Sequence, residues 1–185
     1  MIRALFVLDR FAFDLAYGEE LRHAIAEHAT VLAPPQTKES VQAMPEVLCE
    51  TEVLFSGWGA PRLDDEFLAA APQLRAVFYA AGSVKHLLTP AFWARDIAIS
   101  TAAAANAIPV ADYTLAAILF SLKHGWRYAL EAKRCGRFPP SGPVPGSYRT
   151  KIGLISLGHT GRLVRERLRP FEVDVLAFDP QVDAV

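Results

Sequence analysis

Lys151-Ile-Gly-Leu-Ile-Ser-Leu-Gly-His-Thr-Gly-Arg-Leu-Val-Arg-Glu-Arg-Leu-Arg-Pro170, continued by Phe171-Glu-Val-Asp-Val-Leu-Ala-Phe-Asp-Pro180, decides the fold of this chain. Ile152 to Ile155 is a short apolar run suited to a buried parallel strand. A turn with Gly158 and Gly161 follows. Leu163, Val164, Leu168 and Phe171 then recur at helical spacing, and Val173 to Phe178 reads as a second strand ending in Asp179. Strand, glycine turn, helix and acid-terminated strand make a βαβ unit with a dinucleotide fingerprint at its first turn.

Each position answers a physical demand. At Gly158 a Cβ would obstruct the approach of a pyrophosphate, and Gly161 permits close packing of helix on strand. The helix N-terminus offers free N–H groups and a partial positive charge to phosphates. Asp179 stands 18 residues after Gly161. A carboxylate there can accept from ribose hydroxyls and repels a 2′-phosphate. No Arg follows it, so the pattern favours NAD over NADP. Ser156 departs from the fingerprint, which places its first Gly there to make a tight turn, and Ser fits such a backbone less well. The alternative reading of the turn is purely structural, with no ligand.

Working outward, the chain has 185 residues, 52% hydrophobic and 21% charged, which bounds it as globular with one large or two small domains. Its mean hydropathy of +0.19 is high for this size. A net charge of −1 gives no electrostatic case for nucleic acid or an anionic membrane. The cluster Lys133, Arg134, Arg137 suits a helix C-terminus instead. Cys49 and Cys135 make no disulfide framework and fit a reducing compartment. The apolar start is broken at Asp9 and Arg10 and reads as a strand, not a signal peptide. Val110 to Leu122, the longest apolar-rich segment, is too short and too polar to span a bilayer. These features predict a cytoplasmic protein. Metal-ligand spacing, nucleophile elbows and Lys-containing phosphate loops are not found.

The segment before the fingerprint alternates between strand and helix. Strands are expected at 2–8, 30–33, 53–56, 75–80 and 97–101, and helices at 14–28, 39–44, 64–71 and about 89–95. Asp64 or Asp65 is the expected cap of the third helix. The pattern predicts a parallel sheet of order 2-1-3-4-5, with ligands beyond the carboxyl ends of the strands. The loops Ser56 to Pro61 and Ala81 to Ser83 lie at that edge, where Gly82 would expose N–H groups to a small carboxylate. Trp58 reads equally as a lid or a core anchor. Asn106 is a candidate N-cap with Pro109 in the first turn of a helix running to about Arg134, which Gly125 need not end. Gly136 to Gly146, with four prolines and three glycines, is a linker or surface loop.

Four segments carry a family resemblance: Ser56-Gly57-Trp58-Gly59-Ala60-Pro61, Ala80-Ala81-Gly82-Ser83, Asn106 through Thr114, and the fingerprint to Asp179-Pro180. In them the chain resembles the D-isomer-specific 2-hydroxyacid dehydrogenases, with Asp112 where the family commonly has Glu, His159 where it often has Arg, and Ser156 for Gly. The resemblance implies an α/β protein of two domains. Residues 1–105 would be a flavodoxin-like substrate domain, and 106–185 the bridging helix, the loop and the first βαβ of an incomplete Rossmann domain. It implies that Ala81, Gly82 and Ser83 bind the substrate carboxylate, with Ser83 also toward the nicotinamide. Ser156, Gly158, His159, Thr160, Gly161 and Asp179 would hold NAD. It further implies hydride transfer at C2 of a small 2-hydroxy or 2-oxo acid, and a homodimer formed through the coenzyme-domain region.

The family's catalytic Arg, Glu and His come from motifs downstream of the second Rossmann strand. None of His23, His28, His86, His124 or His159 stands in a matching context, so this chain alone is expected to be inactive. With two Rossmann strands of about six, an open apolar edge is expected at Ile152–Ile155. The chain is then a portion of a longer one, a truncated gene product, or a half-protein completed by a partner. The competing functional readings are a non-catalytic nucleotide-binding or interaction protein on the same scaffold, and a stand-alone flavodoxin-like binding domain.

Overall fold

Residues 1–182 are described by a computed structural model. Asp183 to Val185, counted in the second expected domain, lie outside the described residues. The chain divides into two compact units, Met1–Ala103 and the residues from Ala104 onward.

The first unit is a five-stranded parallel sheet of order β2-β1-β3-β4-β5, as the alternation predicts. Its strands are β1 (Ile2–Val7), β2 (Ala29–Val31), β3 (Val53–Ser56), β4 (Ala76–Tyr79) and β5 (Ala98–Thr101). β1 is central, and Ala4 to Val7 are buried on both faces, which is why the run is continuously apolar. One face packs Leu5, Val7, Leu54 and Val77 against Leu48 of α3 (Pro45–Glu50), Phe67 and Leu68 of α4 (Asp65–Ala70) and Phe92 of α5 (Pro90–Trp93). The other packs Phe6 and Phe55 against Ala12 of α1 (Arg10–Ala16), Tyr17, and Ile25 of α2 (Glu19–His28). That second layer stops short of β4, leaving Phe78 45% exposed. Asp64 and Thr89 cap α4 and α5, accepting from the N–H groups of Phe67 and Phe92.

Several boundaries differ from expectation. The helix expected over 14–28 is two helices, because Tyr17 leaves helical geometry and Gly18, a poor helix former, becomes the N-cap of α2. The second strand begins one residue earlier than expected and ends at Val31. The helix expected over 39–44 is a 3₁₀ turn, Ser40–Ala43. α3 was unforeseen, although Pro45 at its first turn is a recognised start signal.

The second unit opens with α6 (Ala103–Leu122), followed by α7 (Gly125–Cys135), β6 (Thr150–Ile155), α8 (His159–Leu168) and β7 (Val173–Phe178). Asn106 is not the cap: the alanines at 103–105 are strong helix formers and carry the helix upstream, so Pro109 sits inside it. Gly125 does mark a break. His124 takes the left-handed conformation, and a Cβ on Gly125 would lie 2.4 Å from the Phe120 ring. With 20 residues, α6 is long and apolar enough by length and composition to cross a membrane, which corrects the estimate from Val110. Its inward face nevertheless belongs to a protein core: Ala111 is fully buried with Val164 and Leu168, and Asp112 is ion-paired with Arg167 of α8. β6 and β7 pair in parallel over six residues. Ile152, Leu154, Val173 and Val175 face α6 and α8, whereas Ile155, Leu176 and Phe178 are exposed.

Candidate functional site

In the second unit the candidate site is the turn joining β6 to α8. Ser156 continues the strand pairing, its N–H donating to the Phe178 carbonyl at 2.7 Å, and then bends at φ +81°. That left-handed conformation is the one Gly adopts without cost. Gly158 is the N-cap of α8, and a Cβ built on it would find nothing nearer than the Ser156 Oγ at 3.8 Å. Its hydrogen therefore faces open space. Gly161 is the opposite case. A Cβ there would lie 2.1 Å from the Ser156 carbonyl oxygen, so the helix rests directly on the turn.

Asp179 follows β7 and closes on the same turn. One carboxylate oxygen accepts the Leu157 N–H at 2.6 Å and contacts the Ser156 Oγ at 3.5 Å; the other accepts the Gln181 N–H at 2.9 Å. The Leu157 N–H, then the Gln181 N–H, the Ser156 hydroxyl and the Arg162 charge hold its pKa below the ordinary aspartate value. A carboxylate has about four acceptor positions, so with these three donors one remains, and a second opens if the Ser156 hydroxyl turns aside. Among the described residues, the N–H groups of His159, Thr160 and Gly161 donate to no other group, as the first turn of a helix dictates. The His159 side chain is exposed. An adenine dinucleotide fits this donor set: three free amides and a helix N-terminus for the pyrophosphate, and a fixed carboxylate for the ribose.

In the first unit, Ala81, Gly82 and Ser83 follow β4 at the carboxyl edge. Ala81 is buried, Gly82 half-buried and Ser83 exposed. No atom lies within 4 Å of a Cβ placed on Gly82, and among the described residues the three N–H groups have no acceptor. The loop after β3 lies beside them, joined through the Ala80 N–H to the Ser56 carbonyl at 2.8 Å. This edge is braced from below. The Tyr17 hydroxyl donates to the carbonyls of Ser56 (2.8 Å) and Phe78 (3.2 Å), and burial pushes its pKa up. The Ser56 hydroxyl donates to the Val7 carbonyl at 2.6 Å. Trp58 is not a core anchor: its ring is exposed and stacked on Phe11. The same unit has a groove bordered by Lys38, Arg62, Asp64, Glu66 and Phe67, which does not include Ala81, Gly82 or Ser83.

The carboxylate position was legible from spacing. Its partners Leu157 N–H and Gln181 N–H were not, being backbone groups, although an Asp two residues before a turn amide is a recognised Asx pattern. The Tyr17 brace and the Asp112–Arg167 pair left no local signal.

No family model matches the chain. The D-3-phosphoglycerate dehydrogenase of Mycobacterium leprae is 30% identical over 125 residues, 66% of this chain and 23% of the relative. The (S)-sulfolactate dehydrogenase of Chromohalobacter salexigens is 30% identical over 124 residues, 66% of this chain and 40% of the relative. Among solved structures, a phosphoglycerate oxidoreductase from Rhizobium etli superposes with a TM-score of 0.73 at 22% identity, covering 99% of this chain and 57% of its own. The chain thus spans well under half the length of these two curated relatives. Its fold is that of the Rhizobium etli oxidoreductase, and by sequence it is homologous to members of the D-isomer-specific 2-hydroxyacid dehydrogenase family.

Proposed function

We propose that these residues form the substrate-binding unit and the opening of the coenzyme-binding unit of an NAD-dependent oxidoreductase acting on a small D-2-hydroxy acid or its 2-oxo counterpart. The observation that carries this reading is the closure of Asp179 on the turn, 2.6 Å from the Leu157 N–H, beside the free amides of His159, Thr160 and Gly161. In this reading those amides and the N-terminus of α8 hold the pyrophosphate. Asp179 receives the ribose hydroxyls and disfavours a 2′-phosphate. Ala81, Gly82 and Ser83 offer N–H groups to the acid's carboxylate. When bound, NAD supplies a hydride acceptor or donor for C2 of the acid.

The chain's own residues bind and orient. The Arg, Glu and His that polarise the carbonyl and move the proton in the family have no counterpart here, so the 185-residue chain binds without turning over. The names of both curated relatives are those of dehydrogenases, which supports the reaction class. A homodimer through the second unit and residence in the cytoplasm belong to the same reading.

The test is NADH fluorescence on this chain and on any longer product of its gene. NADH should bind this chain with micromolar to millimolar affinity, and Asp179→Ala should weaken it. The longer product should oxidise NADH with small 2-oxo acids. A well-folded longer product that binds neither nucleotide nor acid refutes the proposal.

A further inference from the structure

Ser156 holds a left-handed backbone, φ +81°, at the head of the turn. Non-glycine residues persist there only where the surroundings impose it, and such positions cluster at ligand clamps. Its hydroxyl lies between two groups of the nucleotide-binding surface. It is 3.5 Å from the Asp179 carboxylate, to which it donates, and it receives the Gly158 N–H at 3.4 Å. Both contacts are long, so neither anchors the fold. The anchors are the shorter bonds from Ser156 N–H to the Phe178 carbonyl and from Leu157 N–H to the Asp179 carboxylate. A hydroxyl donating to Asp179 uses an acceptor that a ribose hydroxyl would otherwise use, and an oxygen accepting from Gly158 uses a donor open to a phosphate oxygen.

We propose that Ser156 sets the dinucleotide affinity of this chain: its hydroxyl acts as an internal substitute for the ligand, spanning the Asp179 carboxylate and the Gly158 N–H, and must turn aside for the nucleotide to seat. This inference rests on the proposed nucleotide-binding reading. It assigns Ser156 an opposing role, where the simple fingerprint would count it among the residues that hold the cofactor.

The test uses the full 185-residue chain with ADP-ribose as probe, measured by calorimetry, and hydrogen exchange at the Gly158 amide without ligand. Ser156→Ala removes the hydroxyl and keeps the Cβ. Ser156→Gly removes both and relaxes the backbone, and Ser156→Thr keeps the hydroxyl. Removing one or two weak hydrogen bonds corresponds to roughly two- to tenfold in Kd. Both Ala and Gly should tighten binding by that factor, Thr should not, and Gly158 should exchange faster in the Ala variant. Unchanged or weaker binding by Ser156→Ala overturns the inference while leaving the nucleotide site standing. Tightening by Gly alone also overturns it, assigning the effect to the backbone. If wild type and every variant ignore millimolar ADP-ribose and NADH, the nucleotide-binding reading falls and takes this inference with it.

Discussion

Gly161→Ala isolates the packing on which the turn depends. The added Cβ would sit 2.1 Å from the Ser156 carbonyl oxygen and 3.1 Å from its carbon, both backbone atoms. A carbon–oxygen contact relaxes at about 3.3 Å, so α8 and the turn must part by roughly 1 Å. Neither is free to move. The turn is held by Ser156 N–H to Phe178 and Leu157 N–H to Asp179, and α8 by the buried Val164 and Leu168. Overpacking of this kind costs about 1–3 kcal/mol, and more against rigid backbone. The better helix propensity of Ala returns less than ~1 kcal/mol in a first turn. The net expectation is a loss of ~2 kcal/mol in the second unit, or roughly 1 M in urea midpoint. Hydrogen exchange of the β6 and β7 amides reports that unit by itself. Gly158→Ala is the control: at φ −64° with open space, it should stay within about 0.5 kcal/mol of wild type yet weaken ADP-ribose binding. A Gly161→Ala chain as stable as wild type would refute the close-approach argument.

Asp179 should titrate below the ordinary aspartate range by carboxyl NMR. Since its folded pKa is depressed, the tie to Leu157 and Gln181 is complete at neutral pH and is lost as pH falls through that folded value; Asp179→Asn should abolish this acid-dependent exposure of the Leu157 amide. Tyr17→Phe removes a buried donor shared by the Ser56 and Phe78 carbonyls and should cost the first unit about 1–2 kcal/mol in denaturant unfolding. Absorbance titration of wild type should show Tyr17 resisting ionisation beyond the ordinary tyrosine range, because burial raises its pKa. Phe92→Ala empties a fully buried position between α4 and the sheet, and should cost about 3–5 kcal/mol in the first unit.

Topology was legible where local pattern and burial agree. The apolar runs at β1, β3 and β4 are central strands of a parallel sheet and carry no competing signal. The β6–α8–β7 segment was legible for the same reason, with glycines and an acid at fixed offsets. Helix ends were less so, since they turn on single residues. Gly18 and His124 break helices that periodicity alone would run through, and the alanines before Asn106 extend one that an N-cap argument would start later. Within the site, side-chain identity revealed Asp179 and the glycines. The backbone amides that Asp179 engages are common to every residue, so no sequence pattern singles them out.

The contacts seen at the turn come from its own βαβ segment. Ile155, Leu176 and Phe178 leave one face of β6 and β7 exposed, whereas parallel strands in larger sheets are covered on both. Among the described residues, the hydrogen bonds and close approach that shape the turn lie between Ile155 and Gln181: the Ser156–Phe178 bond, the Asp179 ties and the seat of Gly161 on Ser156. The core behind them is supplied by α6 and α8 on the covered face. On the proposed reading, nucleotide binding depends on groups within residues 150–181 of this chain, and catalysis on side chains outside that segment. Binding of ADP-ribose without turnover is the behaviour this division of labour requires, and turnover by the 185-residue chain alone would refute it.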